Sequence, residues 1–117
     1  MNMKVSELAE ALGLKVWSGS AGLDHEITGG YVSDLLSDVM GFARRGEVWI
    51  TLQTHKNVLA VASLKELAAV ILVKGLSPDE ESILHSEEEA VPLLGTPLSA
   101  FEVTGKIFQL LNPRPSL

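Results

Sequence analysis

The chain has 117 residues, 46% of them hydrophobic and 21% charged, with fifteen acidic against nine basic side chains for a net charge of −6. That size and make-up describe one globular domain, and the acidity disfavours nucleic-acid phosphates and anionic membrane surfaces as partners. The absence of cysteine excludes a disulfide framework, thiolate metal sites and a cysteine nucleophile.

Met1 to Lys4 runs directly into a helical pattern, and the longest wholly apolar stretch, Leu67 to Val73, is far shorter than the roughly 18 residues of a membrane span. A cytoplasmic protein without a targeting segment is therefore expected. Val5, Leu8 and Leu12 recur at i, i+3 and i+7, with Ser6 placed to cap and Gly13 to stop, which predicts a first amphipathic helix. Leu14 to Trp17 reads as a short strand. The glycine-rich stretch Ser18 to Gly30 favours turns, and Gly29-Gly30 predicts a special backbone path before Tyr31.

Asp34 to Ala43 has helical spacing, Arg44-Arg45-Gly46 breaks it, and Glu47 to Leu52 reads as a buried strand. Val58 to Lys65 predicts a helix of about three turns, and Ala69 to Val73 a strand apolar on both faces, closed by Lys74-Gly75. Ser77-Pro78-Asp79-Glu80 carries a capping-box signature, so a helix is predicted from Pro78 to about Glu88. Ala90 to Leu94 predicts a further strand. Thr96-Pro97 then opens a last helix whose core face holds Phe101, Thr104, Phe108 and Leu111, with Val103, Ile107 and Leu110 beside it, ending at Asn112-Pro113. Strands alternating with helices need crossover connections, which build a parallel sheet. The fold expected is α/β: one three-layer-like domain over residues 1–117, with a small, mostly parallel sheet flanked by helices.

Catalytic signatures are missing. The Gly-Lys pair at Gly105-Lys106 has Ala100 where a phosphate-binding loop needs glycine and Ile107 where it needs a hydroxyl. His25, His55 and His85 are far apart and form no i, i+4 chelating pair, so no metal site is expected. Asp79 to Glu81 and Glu87 to Glu89 read as solvated helix ends, and Trp17, Trp49, Phe101 and Phe108 as core aromatics. Val5 to Leu14 looks like the start of a helix-turn-helix, but the extended, glycine-rich Lys15 to Ser20 follows where a recognition helix would be needed. The polar stretch after the strand Glu47 to Leu52, Gln53, Thr54, His55, Lys56 and Asn57, lies where ligands collect in open parallel sheets. The bland reading of the same stretch is that Thr54 or Asn57 caps the helix and the rest is solvated.

Three blocks, ITGGYVSDLLSDVMGFA, EVWITLQTHKNVLAVASLKELAAVILVKGLSPDEE and VPLLGTPLSAFEVTGKIFQLL, together resemble a stand-alone DRTGG domain, and the likeness covers nearly the whole chain. The architecture is similar to the amino-terminal domain of HPr kinase/phosphorylase, whose kinase domain has no counterpart here. Gln53-Thr54-His55 stands where the signature has Gly-Asp-Arg, and Val73-Lys74-Gly75 where it has Thr-Gly-Gly, so the signature residues' roles do not carry over. Such modules accompany CBS or acyltransferase domains, which implies regulation or oligomerisation.

The function expected is a non-catalytic regulatory or scaffolding module, a homodimer, binding a small anionic metabolite or nucleotide at Gly29, Gly30, Gln53, Thr54, His55, Asn57, Lys74 and Gly75, with no metal and no cofactor. The alternative is an adaptor that docks onto a kinase-like or metabolic enzyme partner. An enzyme using His55 as acid or base is a third reading, weakened by the lack of a second group to orient it.

Overall fold

A computed structural model describes residues 2–113. In chain order the elements are α1 (Val5–Leu12), β1 (Lys15–Ser18), a 3₁₀ turn (Ser20–Gly22), β2 (Gly29–Val32), α2 (Leu36–Phe42), β3 (Glu47–Thr51), α3 (Lys56–Leu64), β4 (Ala69–Leu72), α4 (Glu80–Glu89), β5 (Leu93–Gly95) and α5 (Ala100–Leu111). The sheet order is β1-β5-β4-β3-β2, with β2 to β5 mutually parallel and β1 antiparallel on the far edge.

The parallel strands advance one position at a time in the same direction. Right-handed crossovers along such a path put every connecting helix on one face. Accordingly Val39, Val58, Leu59, Val61 and Ala62 pack with Trp49, Val70, Leu72 and Leu93 on that face. The chain leaves β5 to the opposite face, where Val5, Leu8, Val103 and Ile107 of α1 and α5 cover Val48, Ile50, Ala69, Ile71 and Leu94. The strict alternation of these two sets along β3, β4 and β5 is the period-2 geometry of a sheet buried on both sides. The α/β layered architecture expected from the sequence is what the structure has. Among the described residues no helix is long and apolar enough to cross a membrane.

Several local expectations are corrected. Lys4, not Ser6, holds the N-cap position of α1, its amide donating to Glu7 at 2.8 Å, while Gly13 ends that helix in the left-handed conformation as expected. Gly29 and Gly30 take no special path. They begin strand β2, and neither has the positive φ found at Gly13, Gly19, Gly46 and Gly75. α4 starts at Glu80 because the Asp79 carboxylate, rather than Ser77, accepts the Ser82 amide at 2.9 Å. β5 starts at Leu93, since Ala90 is spent as the left-handed C-cap of α4.

The largest correction concerns α5. Val103 and Ile107 face the sheet, 0% and 2% exposed, which turns Phe101 and Phe108 outward at 91% and 62% exposure. An apolar pattern on almost all sides of a helix leaves its rotation open, and packing against Val48 and Ile50 selects the branched aliphatic side. Trp49 is fully buried as expected, and Trp17 is partly so.

Candidate functional site

At the carboxyl edge of the sheet, the loops after β2, β3 and β4 meet. Thr51, the last residue of β3, lies in register with Leu72 of β4, and the Val73 amide donates to the Thr51 carbonyl at 3.3 Å. The segment Gln53–Asn57 therefore leaves the sheet next to Lys74-Gly75, as strand adjacency requires. Gly29 and Gly30 are not part of this cluster. Gly29 pairs with Glu47, the first residue of β3, and Thr51 lies four residues further along that strand. At about 3.3 Å per residue the glycine pair begins roughly 13 Å from the carboxyl edge. Gly29 lines a different recess, of about 970 Å³, with Lys4, Glu7, Glu26, Thr28 and Asn112.

Asp34 organises the carboxyl-edge loop, a residue sequence reasoning placed in a helix instead. Its carboxylate accepts the buried Thr51 hydroxyl at 2.9 Å and the Leu52 amide at 2.7 Å. Its carbonyl accepts the Gln53 side-chain amide at 2.9 Å, and Thr51 Oγ1 also accepts the Gln53 backbone amide at 3.1 Å. The turn carrying Asp34 is pinned in turn by Trp49, whose indole N–H donates to the Ser33 carbonyl at 2.8 Å. The side chain of Gln53 is thus occupied in holding the loop.

Thr54 is tied through its backbone. Its carbonyl accepts the Ser82 hydroxyl at 2.7 Å and the Asp79 amide at 3.4 Å, which docks the start of α4 onto the β3–α3 loop. The nearby Ser82 side chain and the hydrogen bond from the Ser82 backbone amide hold the Asp79 carboxyl below its ordinary range, assisted by the charges of His55 and Lys56.

His55, Lys56 and Asn57 remain exposed. His55 holds the N-cap position of α3, and no side chain caps this end, so neither Thr54 nor Asn57 plays the capping role. Lys56 reaches Glu81 at 3.0 Å, a solvent-exposed pair of little energetic weight. Beside this end, Lys74 and Gly75 are successive left-handed residues with φ of 59° and 68°. Their amides donate to the Leu98 and Thr96 carbonyls, at 2.8 and 2.9 Å, across the split where α4 and α5 diverge to opposite faces. Gly75 also borders a shallow recess of about 290 Å³ with Lys15, Trp17, Ser77, Thr96 and Pro97, where the Lys15 ammonium sits 3.6 Å from the Trp17 ring centre.

His55 is solvated, with no carboxylate hydrogen-bonded to its ring to orient it. His25 contacts the Ala68 carbonyl near the amino edge, and His85 lies 3.8 Å from Glu89 on α4, so the histidines do not converge. Among the described residues no three metal-ligating side chains are grouped.

No family model and no curated protein matches the sequence. Among solved structures, the chain superposes with a TM-score of 0.70 on the CBS and DRTGG domains of the regulatory region of Clostridium perfringens pyrophosphatase, crystallised with its activator diadenosine tetraphosphate. The fold is DRTGG-like. The match runs at 16% identity over 89% of this chain, which spans 45% of that one. The carboxyl-edge segments Gln53–His55 and Val73–Gly75 follow the adjacent strands β3 and β4.

Proposed function

We propose that the chain is a non-catalytic, cytoplasmic regulatory or scaffolding module, a homodimer, that takes the phosphate of a nucleotide or of another small anionic metabolite at the carboxyl edge of its sheet. The observation that carries this reading is the uncapped amino end of α3, with His55 at its N-cap, beside the left-handed Lys74-Gly75 turn. Unpaired amides and the helix dipole favour an anion there, and a non-glycine residue held in the left-handed region marks a local conformation retained against its intrinsic cost. The likeness to a regulatory region crystallised with diadenosine tetraphosphate supports a nucleotide as the ligand class. The similarity to the amino-terminal domain of HPr kinase/phosphorylase belongs to the same proposal. Gly29 and Gly30, at the other edge of the sheet, are left out of the site.

The test is a titration of the full chain with ATP, diadenosine tetraphosphate and inorganic phosphate, read as backbone amide shifts. The reading expects salt-sensitive shifts centred on Lys56, Asn57, Lys74 and Gly75, weakened by His55→Ala and Lys74→Ala. Spectra in which those amides stay still at millimolar ligand would remove the ligand part. The adaptor reading would then take its place if the chain held a single stoichiometric protein partner.

A further inference from the structure

We infer that the outer face of α5 is the surface through which two copies of this chain associate, the helices packing antiparallel about a two-fold axis beside Gly105. This rests on the homodimer reading above and assigns its interface. Phe101, Gly105 and Phe108 follow at i, i+4 and i+7 and form one stripe on the side of α5 opposite the buried Val103 and Ile107. The stripe reads large, small, large. A Cβ at Gly105 would meet nothing within 4 Å, and its φ is not in the left-handed region, so packing inside the protomer gives no reason for a helix-weakening glycine there. A notch between two rings does give one when another helix crosses at that point.

The stripe is complementary to itself, as a two-fold interface requires. In an antiparallel crossing beside Gly105, Phe101 of each copy lies against Phe108 of the other. Glu102 and Lys106 share one flank of the stripe, and the two-fold sets each Glu102 opposite Lys106 of the second copy. Charge favours this face over the acidic helices α1 and α4. The molecule carries −6, α4 has five glutamates and α1 has two, whereas α5 balances one acid with one base. Two copies therefore meet here without the repulsion they would feel across the acidic helices.

Area supports the same occupant. With aromatic side chains covering about 150–250 Å² each, the exposed fractions of Phe101 and Phe108 offer about 300 Å² per copy. Doubled, the rings alone supply about 600 Å², more than half of the roughly 1,000 Å² of a specific interface, and the exposed Gln109 and Asn112 adjoin them.

The experiment is the mass of the full chain by light scattering and sedimentation across a concentration series, for the wild type, Phe101→Glu and Gly105→Leu. The wild type should weigh twice 12.6 kDa. Each variant should raise the dissociation constant about a hundredfold or more, the loss expected when an interface anchor is removed or its pocket filled. Gly105→Leu should do so while holding or raising the melting temperature of the monomer, since leucine is the better helix former. It therefore decides the matter even if Phe101→Glu unfolds. The sequence has no cysteine, so Gly105→Cys adds a single thiol that should oxidise to a cross-linked dimer, whereas Leu64→Cys, exposed on α3, should not. A wild type that stays monomeric refutes the homodimer reading itself. A dimer indifferent to both Phe101→Glu and Gly105→Leu refutes the α5 interface and leaves that reading standing.

Discussion

Removing the Asp34 side chain should loosen the whole β3–α3 loop, because that one carboxylate serves two donors. In Asp34→Ala the Thr51 hydroxyl, on a residue 2% exposed, loses its acceptor, while the Leu52 amide is near enough to solvent to be rehydrated. An unsatisfied buried hydroxyl costs about 1–3 kcal/mol, and hydrogen bonds to a charged acceptor contribute at the upper end of the usual range. The expected loss is about 2 kcal/mol in urea unfolding, or on the order of 8 °C in Tm for a domain of this size. Asp34→Asn retains an acceptor oxygen and should lose less than half of that. A double-mutant cycle with Thr51→Val isolates the shared bond and should return a coupling of about 1 kcal/mol. An Asp34→Ala variant within about 0.5 kcal/mol of wild type, the scatter of ordinary surface substitutions, would refute the claim that this carboxylate holds the loop.

Gly22→Ala should cost more than about 3 kcal/mol by denaturant unfolding, since its Cβ would lie within bonding reach of the Ala90 carbonyl oxygen, a backbone atom that cannot swing away. Asp79→Ala should cost about 1 kcal/mol at neutral pH, the usual value of an N-cap. Because folding lowers the Asp79 pKa, its contribution is complete above the ordinary value of 3.8 and is lost as pH falls through the folded value. Unfolding curves of variant and wild type should therefore converge in acid, and a gap that widened there would contradict the assignment. Lys74→Gly should move two measurements in opposite directions: stability up by about 1 kcal/mol as left-handed strain is relieved, and anion affinity down as a cation leaves the edge. Melting curves and phosphate titrations on the same sample would check both.

The sheet was legible because β3 and β4 announce themselves. Val48 to Thr51 and Ala69 to Leu72 are buried throughout, and only a strand covered on both faces needs such an unbroken run. The helix boundaries were less so. The sequence pointed to Ser77 as the cap, and what chose Asp79 instead was the docking of Ser82 onto the Thr54 carbonyl, a contact made 28 residues apart. α5 shows the same limit in rotation: its periodicity is real, yet the burial of Val103 rather than Phe101 was decided by which side chains fit against β2 and β3.

At the carboxyl edge the position could be read in advance and the availability of its side chains could not. Gln53 to Asn57 look in sequence like five equivalent polar groups at a strand end. The fold divides them: the Gln53 side chain is engaged by a carbonyl 19 positions earlier and Lys56 by Glu81, Thr54 is tied to α4 through its backbone carbonyl alone, and His55 and Asn57 stand at an uncapped helix end. That division is why the loop can be held in shape and still present polar side chains to solvent. Its own polar groups fix its shape through Asp34 and Ser82, and His55 and Asn57, not used for that purpose, stay exposed on a backbone already held in place.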